Sequence, residues 1–455
     1  VNYPIWEPPL IGGGLVIGII AILHVFVAHF AVGGGMFLVL TERKAWREND
    51  AGILDYLKTH SRFFILVVLV FGAVSGVGIW WSIGLVNPEA TATLIRVFVW
   101  GWAIEWVFFF VEIAAAFLYY YGWERMTRRQ HLAIGWIYFG AAWMSLFVIN
   151  GILTFMLTPG RWLETGAFAD AFFNPSMLPS AVIRTGVSIA LAGVYALVTA
   201  AAIRDIALRP RMVRWAAQWV LVGALVIPAA GVWYIASLPA MAREISMGAA
   251  PAVTIFAGLS LFFSLLIVVF TYFGPFRYPR HFNLTFAFVI AVMALSVTAV
   301  TEWVREAVRK PYIIYDYMYS NTVRLEDAEE IRRQGVLAAA RWVRHREARA
   351  ENLLETGRDV FNVQCAACHT LDGYNSIRFA VKGWSPALID YSLLHLNQLK
   401  GFMPPFIGSE AERRALAAWL ASLNPPVETQ PPPQAEPPPV GRAAPPTEGG
   451  APWNR

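Results

Sequence analysis

The sequence predicts an all-α polytopic transmembrane bundle of eight spans, followed by a small all-α domain. Three observations carry this reading. The chain of 455 residues is 57% apolar, with 19 Trp and 30 Phe, and Asp, Glu, Lys and Arg make up only 15%. A soluble domain carries about a quarter charged residues. Apolar runs long enough to cross about 30 Å of hydrocarbon as helix recur through the first two thirds of the chain. Beyond them the composition turns polar, and "VFNVQCAACHT" appears at 360–370.

The spans fall at roughly 11–41, 61–88, 93–122, 133–158, 178–203, 214–238, 250–275 and 283–307. The first has no basic segment before it and no small-residue cleavage site after it, so it reads as a retained helix. Loops one, three, five and seven hold "ERKAWREND", "WERMTRRQH", "RDIALRPRMVR" and "FRYPRH", whereas the intervening loops are nearly devoid of Lys and Arg. The positive-inside rule makes the odd loops cytoplasmic. Eight spans then put both termini, and everything after 312, on the periplasmic side of a bacterial inner membrane. Haem c is attached on that side, so two independent arguments agree. The expected division is a bundle over 1–311, a periplasmic helical linker over 312–350, a haem domain over 351–423 and a Pro-rich tail over 424–455. The tail lacks apolar residues to bury and is expected to be extended or disordered.

The net charge of +5 does not point to nucleic acid, because the basic residues sit in short turns rather than in a stripe. The only two cysteines both lie in Cys-x-x-Cys-His, which excludes a disulfide framework. Cys365 and Cys368 can form thioethers to one covalent haem c, with His369 as the proximal ligand. A helix precedes the motif, with Gly357 and Phe361 eight and four residues before Cys365. "GFMPPF" follows and offers Met403 as the distal ligand, and "AERRALAAWLASL" is a closing amphipathic helix. Together these resemble a class I mono-haem cytochrome c, whose His–Met ligation suits electron transfer.

Ionisable side chains inside spans are costly and mark function by default. His24 and His29 lie in the first span. Glu105 and Glu112 lie seven apart on one face of the third, and Glu302 and Glu306 sit near the outer end of the eighth beside Arg305 and Arg309. Imidazole and carboxylate suit haem iron or another iron centre. His60 and His131 lie at cytoplasmic ends of spans, where a solvated or interfacial role is expected rather than ligation. His29 is five residues from His24, on another side of the helix, and is not expected to share its iron.

From about 15 to 320 the chain resembles subunit I of the cytochrome bd quinol oxidases. The resemblance rests on "AILHVFVAHFAVGGGMF", "AIEWVFFFVEIAAAFLYYYGWERM", "FVINGILTFMLTP" and "EWVREAVRKPY", the last a degraded form of the family's Gly-Arg-Gln-Pro-Trp signature. It implies that His24 is the first-span haem histidine, that Glu105 and Glu112 are the paired glutamates between two active-site haems, and that Glu306 is a further ligand. Two b- or d-type haems in the bundle are implied, and a second membrane subunit of the subunit II kind.

The departures matter too. Arg184 stands where the fifth-span histidine of the family's low-spin b haem belongs, and "APAVTIFAGLSLFF" has no Met. The long quinol loop is reduced to "SLPAMAREISMG". The low-spin b haem and quinol oxidation are therefore expected to be lost together, with haem c replacing them as the electron entry. Arg184 would then pair with a haem propionate or a carboxylate. The implied function is O₂ reduction at a high-spin haem, with Glu105, Glu112 and Glu306 also handling protons. The alternatives are reduction of another small ligand such as nitric oxide, a pure electron-transfer subunit exchanging electrons with quinone or a periplasmic carrier, and a haem-free anchor.

Overall fold

A computed structural model describes residues 5–424; the Pro-rich segment beyond lies outside the described residues. Among the described residues, eight helices are long and apolar enough to cross a membrane: α1 (Gly13–Glu48), α2 (Ala51–Val86), α3 (Val99–Tyr121), α4 (Arg128–Phe155), α5 (Met177–Ala201), α6 (Leu208–Ala236), α7 (Pro251–Phe276) and α8 (Leu284–Ala307). The chain is a polytopic membrane protein with a small, mostly helical C-terminal region.

Three consecutive glycines organise the bundle. In α1, Gly33, Gly34 and Gly35 are buried and face three different helices. A Cβ on Gly33 would lie 1.8 Å from the Ser188 carbonyl oxygen of α5, one on Gly34 2.6 Å from the Phe64 ring of α2, and one on Gly35 2.4 Å from the Tyr138 ring of α4. Between apolar helices in lipid, such close backbone approach supplies the dispersion contact that hydrophobicity cannot. The "VGGGMF" segment is the hub of the bundle for this reason.

Element ends differ from the sequence reading where charge masks helix. α1 continues through "ERKAWRE" to Glu48 and ends with Asn49 in the left-handed conformation. α2 begins at Ala51, because the Asp50 side chain caps it by accepting from the Ile53 amide at 3.2 Å. Within α2, Leu66–Gly72 is wound as π-helix. A separate short helix, Pro88–Val97, precedes α3. The loop after α4 is held by buried amides: Asn150 donates to the Met177 carbonyl at 2.8 Å, and Asn174 donates to that of Gly151 at 3.1 Å.

The segment expected to be a helical linker has more structure than that. Strands β1 (Tyr312–Ile314) and β2 (Met318–Tyr319) form an antiparallel hairpin, tied to the end of α4 by the Tyr315 amide donating to the Met156 carbonyl at 2.8 Å. Ala328–Gln334 and Val336–Ala339 are short helices. Their Ile331, Val336 and Leu337 share one apolar core with Val360, Phe361, Leu416 and Trp419. This core belongs to α9 (Leu353–Gln364), α10 (Pro386–Leu394) and α11 (Glu410–Ser422). Glu412 fastens the two parts: its carboxylate accepts from the amides of Val336 at 2.9 Å, Leu337 at 2.8 Å and Ser409 at 2.8 Å. At 3% exposure that carboxylate has no water to fall back on.

Candidate functional site

The Cys-x-x-Cys-His loop follows the C-terminus of α9. Cys365 is half-buried, Cys368 is exposed, and neither is in a disulfide. Burial pushes the Cys365 thiol up to about 12. His369 donates from Nδ1 to the Asn375 carbonyl at 3.1 Å, because a carbonyl can only accept. Its Nε2 therefore carries the lone pair, and burial holds the ring below its ordinary pKa. Met403 is half-buried in the turn before α11.

This loop packs on the end of the bundle where α1 begins and α8 finishes. The Tyr374 amide donates to the Leu10 carbonyl at 2.7 Å, and a Cβ on Gly12 would lie 2.9 Å from the Thr370 methyl. Lys310, just past α8, bears electrostatically on Cys368. The basic odd-numbered loops lie at the opposite end and pair there, as Arg211 does with Asp50 at 2.7 Å and Glu48 at 3.2 Å.

Inside the bundle the ionisable residues separate into groups. Glu105 accepts from the Ser145 hydroxyl at 2.9 Å and Glu112 from the Tyr138 hydroxyl at 3.0 Å, so both carboxylates of α3 are anchored to α4. His24 pairs with Ser75 of α2, Nδ1 to Oγ 3.1 Å. The Ser75 hydroxyl also donates to the Phe71 carbonyl at 2.7 Å, which leaves its oxygen to accept from His24 Nδ1. His24 thus presents Nε2, as His369 does. Gly76 makes room for this ring, since a Cβ there would lie 3.1 Å from its Cε1.

Glu306 is engaged by cations on both oxygens, with Arg309 on Oε2 and Lys310 at 3.2 Å on Oε1. Arg184 bears on Glu302 and His29. Arg184 makes no ion pair with a carboxylate among the described residues, and the carboxylate whose charge bears on it is Glu302, outside the sequence-derived site set. Among the described residues, no group of three or more His, Cys, Asp or Glu is disposed to hold a free metal ion.

Two expectations are corrected. His60 and His131 are not solvated: they are 0% and 3% exposed. The Glu42 carboxylate, read from sequence as part of a basic loop, is 0% exposed at the inner end of α1. It accepts from the Tyr119 hydroxyl at 2.9 Å, His131 Nδ1 at 2.9 Å and Trp46 Nε1 at 3.1 Å. The signal available in the sequence was its helical register, continuous with the first span, which the neighbouring charges obscured.

A bundle with buried glutamates and histidines, capped by a Cys-x-x-Cys-His module, defines a membrane protein of the electron-transport class. The family profile "Cytochrome bd terminal oxidase subunit I" matches residues 15–244, and the chain belongs to that family. Residues 352–420 match the profile "Cytochrome C oxidase, cbb3-type, subunit III". Among solved structures, the bd oxidase from Geobacillus thermodenitrificans is similar with a TM-score of 0.58 at 15% identity, covering 66% of this chain and 87% of that one. At that identity the likeness concerns the fold alone. No curated protein matches the chain.

Proposed function

We propose that this chain is a bd-type terminal-oxidase-like subunit of a bacterial respiratory chain, taking electrons through a covalent haem c and reducing O₂ at a high-spin haem. The observation that supports it is the placement of two imidazoles with uncommitted Nε2 atoms along one end of the bundle. His369 lies in a loop hydrogen-bonded to the residues just before α1, and His24 lies three turns into that helix. Each has its Nδ1 proton committed to a neighbour, which leaves Nε2 as the donor atom. That second-sphere pattern is the one iron-binding histidines use.

The residues fit the groups that the family implies. Cys365 and Cys368 would anchor haem c, with His369 and Met403 on its two faces. His24 would hold one of two b- or d-type haems, with Glu105 and Glu112 beside it. Such haems supply one-electron chemistry and, where a coordination position is open, O₂ binding. The protein's part is to orient the ligands and hold protons. Tyr138 and Ser145 fix the glutamates on α3, each through one oxygen, and leave the other free to accept a proton or a ligand. Glu306 would have to leave Arg309 and Lys310 to ligate iron. By the positive-inside rule the C-terminal module lies in the periplasm, where a soluble carrier or a membrane redox complex would supply it. The exposed apolar faces of α3, α6 and α7, with Trp100, Leu225 and Leu261 at 70%, 79% and 74% exposure, would face lipid and a subunit II-like partner.

The neutralised state of Glu306 favours a second reading, an electron-transfer subunit of a larger complex that exchanges electrons with quinone or a periplasmic partner. A CO-difference spectrum of reduced membranes, with O₂ uptake from a reduced c-type donor, separates the two. CO binding and uptake are expected. Absence of CO binding sinks the oxidase reading and leaves the carrier, and a pyridine haemochrome of one haem per chain leaves only an anchor.

A further inference from the structure

Among the described residues, His29 is one of two histidines whose second nitrogen is buried without a hydrogen-bond partner. It is 5% exposed, and its Nδ1 lies 2.8 Å from the Val25 carbonyl, an acceptor only. The ring proton is therefore on Nδ1. Nε2 is a bare lone pair with no hydrogen-bond partner. Burying an acceptor this way destabilises the fold unless something binds it.

The surroundings indicate what that is. Gly33 lets α1 press against Ser188 of α5. One turn outward from this crossing lie His29 on α1 and Arg184 on α5; the charges of Arg184 and of Glu302 on α8, and the His24 ring, bear electrostatically on His29. Arg305 takes Glu302 through Oε2 alone, from Nε at 3.0 Å and Nη2 at 2.7 Å. Among the described residues, the Arg184 guanidinium has no hydrogen-bond acceptor. A lone pair and a guanidinium without an acceptor, on corresponding turns of two crossing helices, fit a group that is electrophilic at its centre and anionic at its rim.

His60 is a useful contrast, because its Nε2 is buried and unpartnered as well. That ring is walled in by Phe30, Phe37, Tyr56 and Phe63, and no charged side chain bears on it. No aromatic ring packs on His29 among the described residues. A free metal ion would need three or four protein donors, which the site lacks. A haem brings four nitrogens of its own and asks the protein only for an axial ligand and a counter-charge for its propionates.

We propose that His29 Nε2 is the axial ligand of a bundle haem distinct from the one at His24, and that Arg184 receives its propionate. This rests on reading the bundle as haem-bearing. Arg184 would then mark a haem site re-ligated from α1, not a vacated one.

The test uses the full-length chain purified from membranes, with non-covalent haem counted against covalent haem c by pyridine haemochrome and the oxidised protein examined by EPR. His29→Gly is expected to lose one non-covalent haem per haem c, and imidazole in the growth medium to restore it. Arg184→Gln is expected to keep the count and lower the midpoint potential of one haem, because a positive charge leaves its rim. His24→Gly is expected to remove a different EPR component. The assignment is overturned if His29→Gly keeps the wild-type count and spectrum. It is equally overturned if imidazole fails to reverse the loss, which then reflects packing. A wild-type protein with haem c alone removes the haem-bearing reading of the bundle, and this inference falls with it.

Discussion

Two polar clusters sit in the same bundle and differ in one respect. At the inner end, Glu42, Tyr119 and His131 close on themselves: both Glu42 oxygens accept, and His131 bonds through Nδ1 to Glu42 and through Nε2 to the Tyr119 carbonyl at 2.8 Å. At the outer side, His29 and Arg184 lie one turn from the Gly33 crossing, and among the described residues neither His29 Nε2 nor the Arg184 guanidinium has a hydrogen-bond partner. The first cluster is complete as folded. On the inference drawn above, a bound group completes the second. A satisfied buried network specifies structure, while an unsatisfied one is strain unless a ligand relieves it.

The contrast can be broken by mutation. Glu42→Leu strands two buried donors and the half-buried Trp46 and is expected to cost about 3–5 kcal/mol, read as a large drop in the melting temperature of the detergent-solubilised protein. A change within the error of the wild type would show that the inner cluster is not structural. Glu412→Ala removes three amide bonds and is expected to cost about 2–3 kcal/mol within the C-terminal region. Limited proteolysis should then cut between 340 and 349, which it should spare in wild type. Arg184→Met breaks no protein hydrogen bond, and its effect on melting of the haem-free chain is expected to stay within about 1 kcal/mol. A cost matching that of Glu42→Leu would erase the distinction between the clusters. The smallest effect concerns the haem-free thiols. With burial pushing Cys365 up to about 12, that thiol stays protonated and unreactive at pH 8. Iodoacetamide should label the exposed Cys368 first, as peptide mass spectrometry would show.

Much of the architecture was legible in advance because lipid imposes a simple rule on composition. The eight spans match the membrane-length helices among the described residues; the inner ends of the first, second, fourth and sixth shift where charge intervenes, and the third starts later because Pro88–Val97 is a separate helix. The stretch from 51 to 65 carries Asp55, Lys58 and Arg62, so a hydropathy reading starts the second span ten residues late. The segment after 312 was legible as polar and not as core. Val336 and Leu337 look unremarkable in sequence, and only their contact with α9 and α11 makes them 0% exposed. The Cys-x-x-Cys-His motif is readable because its ligands are contiguous. His29 was set aside because nothing in a linear spacing reveals whether a nitrogen has a partner.

The sequence by itself determined the all-α membrane class, the clustering of basic residues in the odd-numbered loops and the Cys-x-x-Cys-His motif, since each depends on residue type and local order. Tertiary structure alone decided which buried groups are satisfied. It placed Glu42 among donors from α3 and α4, and left His29 Nε2 buried without a partner among the described residues. The Glu42 bonds close across helices 77 and 89 residues apart in sequence, so only the packing of those helices decides that they meet.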